Sequence, residues 1–324
     1  MGNGVFSLVV AAVAGVLAVA GCEHRPAVKP KKVGIVNPSA GLEQVVAGFK
    51  AGLAERGHQE GETIVFRYDG PLQGSGEVDS RIAALIAEDV DLILGLTTPV
   101  ARRLKEALTG TAIPGLFAPV FAPAEAGLVE SLARPGGPVT GIRIRGSTAK
   151  ALEYLLAVVP GVRRVYVPCH AGDMASCLTR DDLEAGAVKL GVELVSTEVD
   201  GLPALQAALA AIPPDVQAVW LTCSHLLTSQ VREYVVAATA RGIPVASCAH
   251  LFSGSGVMIS YGENDFRMGE QAGRMADRLL NGASPQTMPV ETASFYLRIN
   301  RGKARELGIE VPERLLQQAT FIED

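Results

Sequence analysis

The sequence predicts an α/β protein made of two similar halves, each built on a parallel, doubly wound β-sheet. Short β-branched runs alternate with segments of helical periodicity, and this alternation restarts after a Pro- and Gly-rich stretch near residues 135–146. The 324 residues, with 48% hydrophobic and 19% charged side chains, suit a globular protein of one large or two medium domains.

In the first half, aliphatic runs mark the strands, and apolar residues at i, i+3 and i+4 mark the helices between them. Gly57 ends the first helix, and Pro99 stands where first-turn prolines open a helix. The predicted strands are 33–36, 63–68, 91–96, 113–117 and 139–143, and the predicted helices are 42–53, 78–86, one opening at 99, and a short one around 124–132.

The second half repeats the pattern. Its predicted helices are 148–158, 180–190, 202–211 and 226–241, and its predicted strands are 164–167, 193–199, 217–221, 243–247 and 257–261. A long helix at 263–280 is expected to return to the first half, and residues after Pro289 to cross back again. We therefore expect lobe one to comprise 32–141 plus 263–288, and lobe two 142–262 plus 289–324.

A protein with two such lobes is expected to have a ligand-binding cleft between them. In open parallel sheets, ligands bind outside the carboxyl ends of the strands. Two sheets that face each other would place those ends on the two walls of one cleft, which is the geometry of hinge-closing binding proteins.

The first 22 residues predict a lipoprotein signal. Residues 1–21 carry no charge, are mostly apolar, and end in small side chains directly before Cys22. A peptidase must fit those small side chains, and the Cys22 thiol would take the lipid. A transmembrane anchor is the alternative, but the apolar run is short for a full span. We expect a signal peptide at 1–21, a lipidated Cys22 and a tether at 22–31.

Composition and motifs exclude several classes of function. A formal charge of −5 argues against a nucleic-acid binder, which needs clustered Lys and Arg. The chain contains no P-loop, H-E-x-x-H or G-x-S-x-G motif, and no nucleophile and base stand in a recognisable arrangement. We therefore expect no enzymatic activity and no cofactor.

Several stretches resemble the substrate-binding lipoproteins of ABC importers, in the family whose characterised members include tryptophan and tyrosine binders. The resemblance implies the type I periplasmic-binding architecture, with two Rossmann-like lobes and a three-segment hinge. It also implies a monomer that binds a small molecule outside the cytoplasm and delivers it to an ABC permease. The segments that carry it are GLVESLARPGGPVTGI at 127–142, FKAGL at 49–53, Tyr261-Gly262, Leu280-Asn281-Gly282 and Leu307-Gly308-Ile309.

In lobe one, polar residues follow two predicted strands. Asn37 and Ser39 follow the first strand, and Thr97 and Thr98 follow the third, each pair leading into a helix. Hydroxyls and backbone N–H groups at helix N-termini suit a carboxylate, although simple N-capping requires the same residues. Both interpretations remain open.

Two further candidates lie near the fourth strand and the hinge. Pro119 follows the fourth strand, and Tyr261 ends a strand beside Gly262, where it could line the cleft or pack in the hinge. The resembled family usually carries Asp before the proline, whereas this chain has Ala118. One partner for a ligand ammonium is therefore missing.

In lobe two, Cys and His residues gather at the predicted strand ends. With Cys22 assigned to the lipid, four cysteines remain, and an even number in an oxidising compartment favours disulfides. Four cysteines allow three pairings, of which the pairing of Cys223 with Cys248 between neighbouring strands and of Cys169 with Cys177 within the first loop is a reasonable one. The alternative is a zinc, copper or haem site on His170, His225 and His250, in a metal-binding or ligand-sensing lipoprotein. The ligand candidates in this lobe are His170, Asp173, Ser224, His225 and His250.

Overall fold

A computed structural model describes Met1 and residues 29–146, 148–248, 255–315 and 317–322. The predicted signal peptide, Cys22 and His250 lie outside the described residues. In the described ranges, no helix has the length and apolar character needed to cross a membrane.

The secondary structure follows the predicted alternation of strands and helices. The strands are β1 Lys31–Val36, β2 Ile64–Arg67, β3 Leu92–Gly95, β4 Gly115–Val120, β5 Val139–Arg143, β6 Arg164–His170, β7 Glu193–Val199, β8 Ala218–Leu221, β9 Val245–Ser247, β10 Ile259–Glu263, β11 Glu291–Thr292, β12 Phe295–Asn300 and β13 Ala319–Ile322. The α-helices are α1 Glu43–Ala54, α2 Val78–Ala87, α3 Thr98–Leu108, α4 Thr148–Val158, α5 Met174–Leu190, α6 Leu202–Ala210, α7 His225–Ser229, α8 Val231–Thr239, α9 Asp265–Leu280 and α10 Arg301–Glu306.

These strands form two sheets. The first has the order β11-β5-β4-β3-β1-β2 and is parallel throughout. The second has the order β13-β12-β10-β9-β8-β6-β7 and is parallel except for the antiparallel β10–β12 pair. Buried aliphatic clusters lie on both faces of each sheet, which explains why the central strands are apolar without alternation.

Three predicted helices differ from the structure. Helix α5 begins at Met174, six residues before the predicted start at 180. Residues 124–132 form successive turns, in which the carbonyls of Ala122 and Pro123 accept the N–H groups of Ala126 and Leu128. Gly127 has a positive φ of 70°, which interrupts helical geometry. The helix expected at 226–241 is divided into α7 and α8.

The predicted lobe boundaries also need correction. The whole of β5 lies in the first sheet, so the chain leaves lobe one after Arg143 instead of after residue 141. The pair β11–β5, with Glu291 opposite Ile142, extends lobe one beyond residue 288 to Thr292. The chain thus crosses between the sheets after β5, after β10 and after β11, which gives three connecting segments.

Helix α9 returns from the second sheet and packs closely against α1 of lobe one. Four glycines at i, i+4 spacing form this contact, Gly48 and Gly52 in α1 and Gly269 and Gly273 in α9. A Cβ at Gly48 would overlap the carbonyl oxygen of Phe266, and one at Gly269 would overlap that of Val45. The absence of side chains at these positions lets the two backbones touch.

We expect Gly48→Ala to lower the free energy of unfolding by about 1–3 kcal/mol, since the helices must separate to admit the methyl group. The loss should appear although Ala normally favours a helix interior by about 0.5–1 kcal/mol. Urea denaturation measures it. Gly161→Ala is the matched control, because nothing lies within 4 Å of its added Cβ. Equal stability of the two variants would contradict the proposed contact.

Candidate functional site

A cavity of about 830 Å³ lies between the two sheets. Its walls are formed mainly by residues at or just beyond the carboxyl ends of the strands, as expected for facing parallel sheets. From lobe one it is lined by Pro38, Ser39, Gly41, Leu42, Thr97 and Phe121. From the hinge and lobe two it is lined by Ile144, Gly146, Thr148, Asp173, Ala175, Cys223, Ser224, Thr228, Ser229, Val231, Cys248, Ser255, Tyr261, Glu263 and Phe295.

In lobe one, a buried polar network shapes the turn after β1. Asn37 is fully buried; its Oδ1 accepts the Ser39 N–H at 3.0 Å, and its Nδ2 donates to Glu43 at 2.9 Å and to Tyr68 Oη at 3.0 Å. The Tyr68 hydroxyl also donates to Glu43. Burial, together with the bond to Glu43, raises the pKa of Tyr68 to about 12. Asn37 is therefore buried beneath the turn and fixes the backbone of Ser39, while Ser39 itself lines the cavity.

Thr97 reaches the cavity from a strained backbone. Its φ of 77° and ψ of 156° fall in a region that is essentially restricted to glycine. Thr98 begins α3 directly after it and is not among the residues that line the cavity. Strain of this kind clusters at ligand-binding and catalytic positions, because the surrounding fold must hold the residue in place.

In lobe two, side chains at the strand ends cap the helices that follow. Asp173 accepts the Ser176 N–H at 2.7 Å at the start of α5, and Ser224 accepts the Leu227 N–H at 3.1 Å at the start of α7. Both residues also line the cavity. Asp173 and Ser224 thus each cap a helix and also line the cavity. In lobe two, therefore, helix capping and a position in the cavity wall do not exclude each other.

The cysteines at the ends of neighbouring strands meet in the cavity wall. Strand β8 lies between β6 and β9, as expected, and the Sγ atoms of Cys223 and Cys248 are 2.8 Å apart. The structure gives all four described cysteines as free thiols. Buried Cys169 donates to the Val167 carbonyl at 3.5 Å, whereas Cys177 donates to the His170 carbonyl at 4.0 Å. Among these described cysteines, therefore, neither predicted disulfide, Cys169–Cys177 or Cys223–Cys248, is present as a bond.

Of the three histidines considered as metal ligands, the structure describes only the side chain of His170. His170 is absent from the cavity lining, and its buried Nδ1 has no hydrogen-bond partner among the described residues. The side chain of His225 and all of His250 lie outside what the structure describes. Within the described ranges, no group of three or more His, Cys, Asp or Glu residues could hold a metal ion.

The hinge supplies aromatic rings and a carboxylate. The ring of Tyr261 lies 5.2 Å from that of Tyr154 and 5.7 Å from that of Phe295. Glu263, two residues after Tyr261, also lines the cavity, and burial raises its pKa to about 7.

The candidates predicted from the sequence thus divide into two groups. Ser39, Thr97, Asp173, Ser224 and Tyr261 line the cavity, whereas Asn37, Thr98, Pro119 and His170 do not. Pro119 follows a cis peptide bond within β4, and Phe121 after it reaches the cavity instead.

Sequence reasoning missed Phe121, Glu263 and Phe295 as site residues. Glu263 could have been predicted from Tyr261, which was already a candidate. Residues two positions apart on a strand lie on the same face, so a cavity that contains Tyr261 is also open to Glu263. Phe295 required knowledge of its pairing with β10.

Comparisons with known proteins agree with this architecture. A family model described as ABC transporter substrate binding protein matches residues 32–322. The tyrosine-binding protein of Clostridioides difficile strain R20291 is 25% identical over 304 residues, which cover 89% of this chain and 87% of that protein.

Two solved structures are similar over nearly the whole chain. The ABC domain from Streptococcus pneumonia in complex with L-Trp has a TM-score of 0.76 at 25% identity, covering 91% of this chain and 100% of that one. The ligand-free, open structure of a substrate binding protein with adhesive properties from Clostridium difficile has a TM-score of 0.79 at 25% identity, with coverages of 90% and 99%. The predicted type I periplasmic-binding architecture is confirmed.

We expect Thr97→Gly to raise the free energy of unfolding by about 1 kcal/mol, as relief of backbone strain exceeds the entropic cost of glycine. Thermal and urea denaturation measure the change. Asp89→Gly is the matched control, because Asp89 has a φ of 53°, in the left-handed region that Asp tolerates, and lies outside the cavity lining. A Thr97→Gly variant less stable than the native protein would show that Thr97 is not strained.

Proposed function

The chain belongs to the family of ABC transporter substrate-binding proteins, and on this premise we propose that it captures an amino acid or a similar small molecule in the cleft between its lobes. The observation that best supports this proposal is the cavity of about 830 Å³, which is lined by residues of both lobes and of the connecting segments. That volume falls in the range of small-molecule sites, about 300–1,000 Å³. Two relatives, a tyrosine-binding protein and an ABC domain in complex with L-Trp, support an aromatic amino acid as the first probe.

The proposed mechanism is closure about the three connecting segments. A ligand that touches Ser39 and Phe121 on one wall and Ser224 and Ser229 on the other makes its full set of contacts only when the walls approach. Such a ligand shifts the population toward the closed state by its difference in affinity for the two states. The closed form would then be the one presented to the permease.

We propose that the protein performs no catalysis, in keeping with relatives that are solute-binding proteins. Proteins of this family act on the extracytoplasmic side of the membrane. Lipidation of Cys22 after removal of residues 1–21 would hold the chain there, and the residues up to about 31 would serve as the tether. We further propose that the chain works as a monomer and delivers its ligand to an ABC importer.

The same compartment favours a disulfide between Cys223 and Cys248. Their Sγ atoms, 2.8 Å apart, need only a small approach to reach the covalent distance of about 2.05 Å. The two thiols lose two protons and two electrons, and a disulfide of a thiol oxidant accepts them and becomes a dithiol. The bond would tie together the loops after β8 and β9.

We expect tyrosine or tryptophan to raise the melting temperature of the protein and to reduce its radius of gyration. Ligand at 100 times its Kd stabilises the folded state by about 2.7 kcal/mol. The measurements are differential scanning fluorimetry and small-angle X-ray scattering on protein refolded to remove any bound ligand. Ser229→Trp should obstruct closure from the cavity rim, whereas Ser80→Trp, on α2 and outside the cavity lining, should not. Stabilisation without compaction would contradict closure.

We expect the cysteines to have three distinct fates in protein purified from bacterial membranes without reductant. Peptide mass spectrometry after unfolding and alkylation should find Cys22 lipidated and N-terminal, Cys223 joined to Cys248, and Cys169 and Cys177 alkylated. Cys248→Ser should leave Cys223 open to alkylation as the control. Alkylation of Cys223 and Cys248 in unreduced native protein would refute the disulfide, and an intact residue 1 would refute the anchor.

A further inference from the structure

Glu263 holds a carboxylate at the hinge end of the cavity. It is the last residue of β10, and Tyr261 precedes it by two positions, so both side chains lie on the same face of the strand. In the antiparallel ladder Glu263 stands opposite Phe295 of β12. The carboxylate is therefore next to aromatic residues that line the same cavity.

The aromatic side chains around this carboxylate form a continuous cluster. Tyr261 lies between Tyr154 and Phe295, with ring centroids 5.2 Å and 5.7 Å away. The faces of such rings carry negative electrostatic potential and attract organic cations. A cluster with a carboxylate at its edge suits an ammonium group attached to an apolar body.

The charges of the cavity wall have one sign. Among the described lining residues, Asp173 and Glu263 are acidic and none is Lys or Arg. Asp173 already accepts the Ser176 N–H at 2.7 Å and faces the N-terminus of α5, whose dipole compensates its charge. Glu263 caps no helix, so its charge is the one open to a ligand.

The surroundings of Glu263 do not neutralise it fully. From α9 it is faced by Asp265, from β12 by Arg298, and from the loop after β8 by the Cys223 thiol, which contacts Cys248. Arg298 lowers the pKa of both Glu263 and Asp265, while burial raises both. When both carboxyls are ionised, one guanidinium against two carboxylates leaves one net negative charge beside the cavity.

We propose that Glu263 is the specificity-determining residue that binds the ammonium group of the ligand, with the organic part of the ligand against Tyr261 and Phe295. The inference rests on the proposed function, because it assumes that the ligand occupies this cavity. It assigns the ligand to the class of compounds with a primary ammonium on an apolar or aromatic body.

This assignment makes affinity depend on pH in one direction. Burial raises the pKa of Glu263 in the empty protein to about 7, so below that pH the carboxyl is protonated. A bound cation favours the ionised form and lowers the pKa in the complex, so binding releases a proton. Affinity should therefore fall as the pH drops below about 7, by up to tenfold per pH unit, and should level off above it.

The test compares three matched probes by isothermal titration calorimetry from pH 5.5 to pH 8: tyrosine, tyramine and 3-(4-hydroxyphenyl)propionate. The first two carry the ammonium and the third does not. We expect binding of tyrosine, tyramine or both, no binding of the propionate, and a loss of about ten- to hundredfold in Glu263→Gln together with loss of the pH dependence. Glu106→Gln, an exposed substitution on α3, controls for the chemistry of the change.

Each other outcome overturns the inference in a recognisable way. Equal binding of the propionate, or amine affinity within twofold of the native protein in Glu263→Gln, removes Glu263 as the ammonium partner and leaves the proposed function intact. If none of the three probes nor the corresponding tryptophan, tryptamine and indole-3-propionate binds, both the inference and the amino-acid ligand fall. Circular dichroism checks that Glu263→Gln is folded, and Glu263→Asp, which keeps the charge, should retain part of the pH dependence.

Discussion

The close contact between α1 and α9 is the interaction on which the placement of the site depends. Helix α9 begins two residues after the end of β10, so the glycines that fix α9 on α1 also fix the point where β10 leaves lobe two. Tyr261 and Glu263 stand at that point. A bulkier interface would displace the helix and, with it, the hinge end of the cavity.

The fold and the site use the same strand ends for different purposes. The helices that follow parallel strands begin at one edge of the sheet, with free backbone N–H groups in their first turns. Asp173 and Ser224 accept hydrogen bonds from two of these groups, so their side chains already serve as helix caps. The residues left to define a ligand are those with no such structural task, namely Glu263 and the rings of Phe121 and Phe295. The proposed ligand specificity therefore depends mainly on residues at the hinge and less on the helix N-termini.

Sequence periodicity was sufficient for the order of most strands and helices up to α9, because that order is a local property, but it predicted none of the elements after Pro289. It failed at 124–132, where apolar spacing looks helical but Gly127 adopts a positive φ and the carbonyls close turns. The lobe boundaries were misplaced because the pairing of β11 with β5 joins residues about 150 positions apart. The site was predicted in part, because Ser39 and Thr97, two or three residues beyond a strand end, line the cavity, whereas Asn37, directly after β1, does not. It was missed at Phe295, which antiparallel pairing alone brings to Glu263.

The three crossings between the sheets are short and lie side by side. Only Asn264 separates β10 from α9, and only Ala293 and Ser294 separate β11 from β12. Connections of this length permit rotation about their backbone dihedrals but leave no slack for one lobe to slide past the other. In the proposed closure the two walls of the cavity approach each other, so a distance between them would report the occupancy of the cavity, as in an optical sensor built on a pair of dyes.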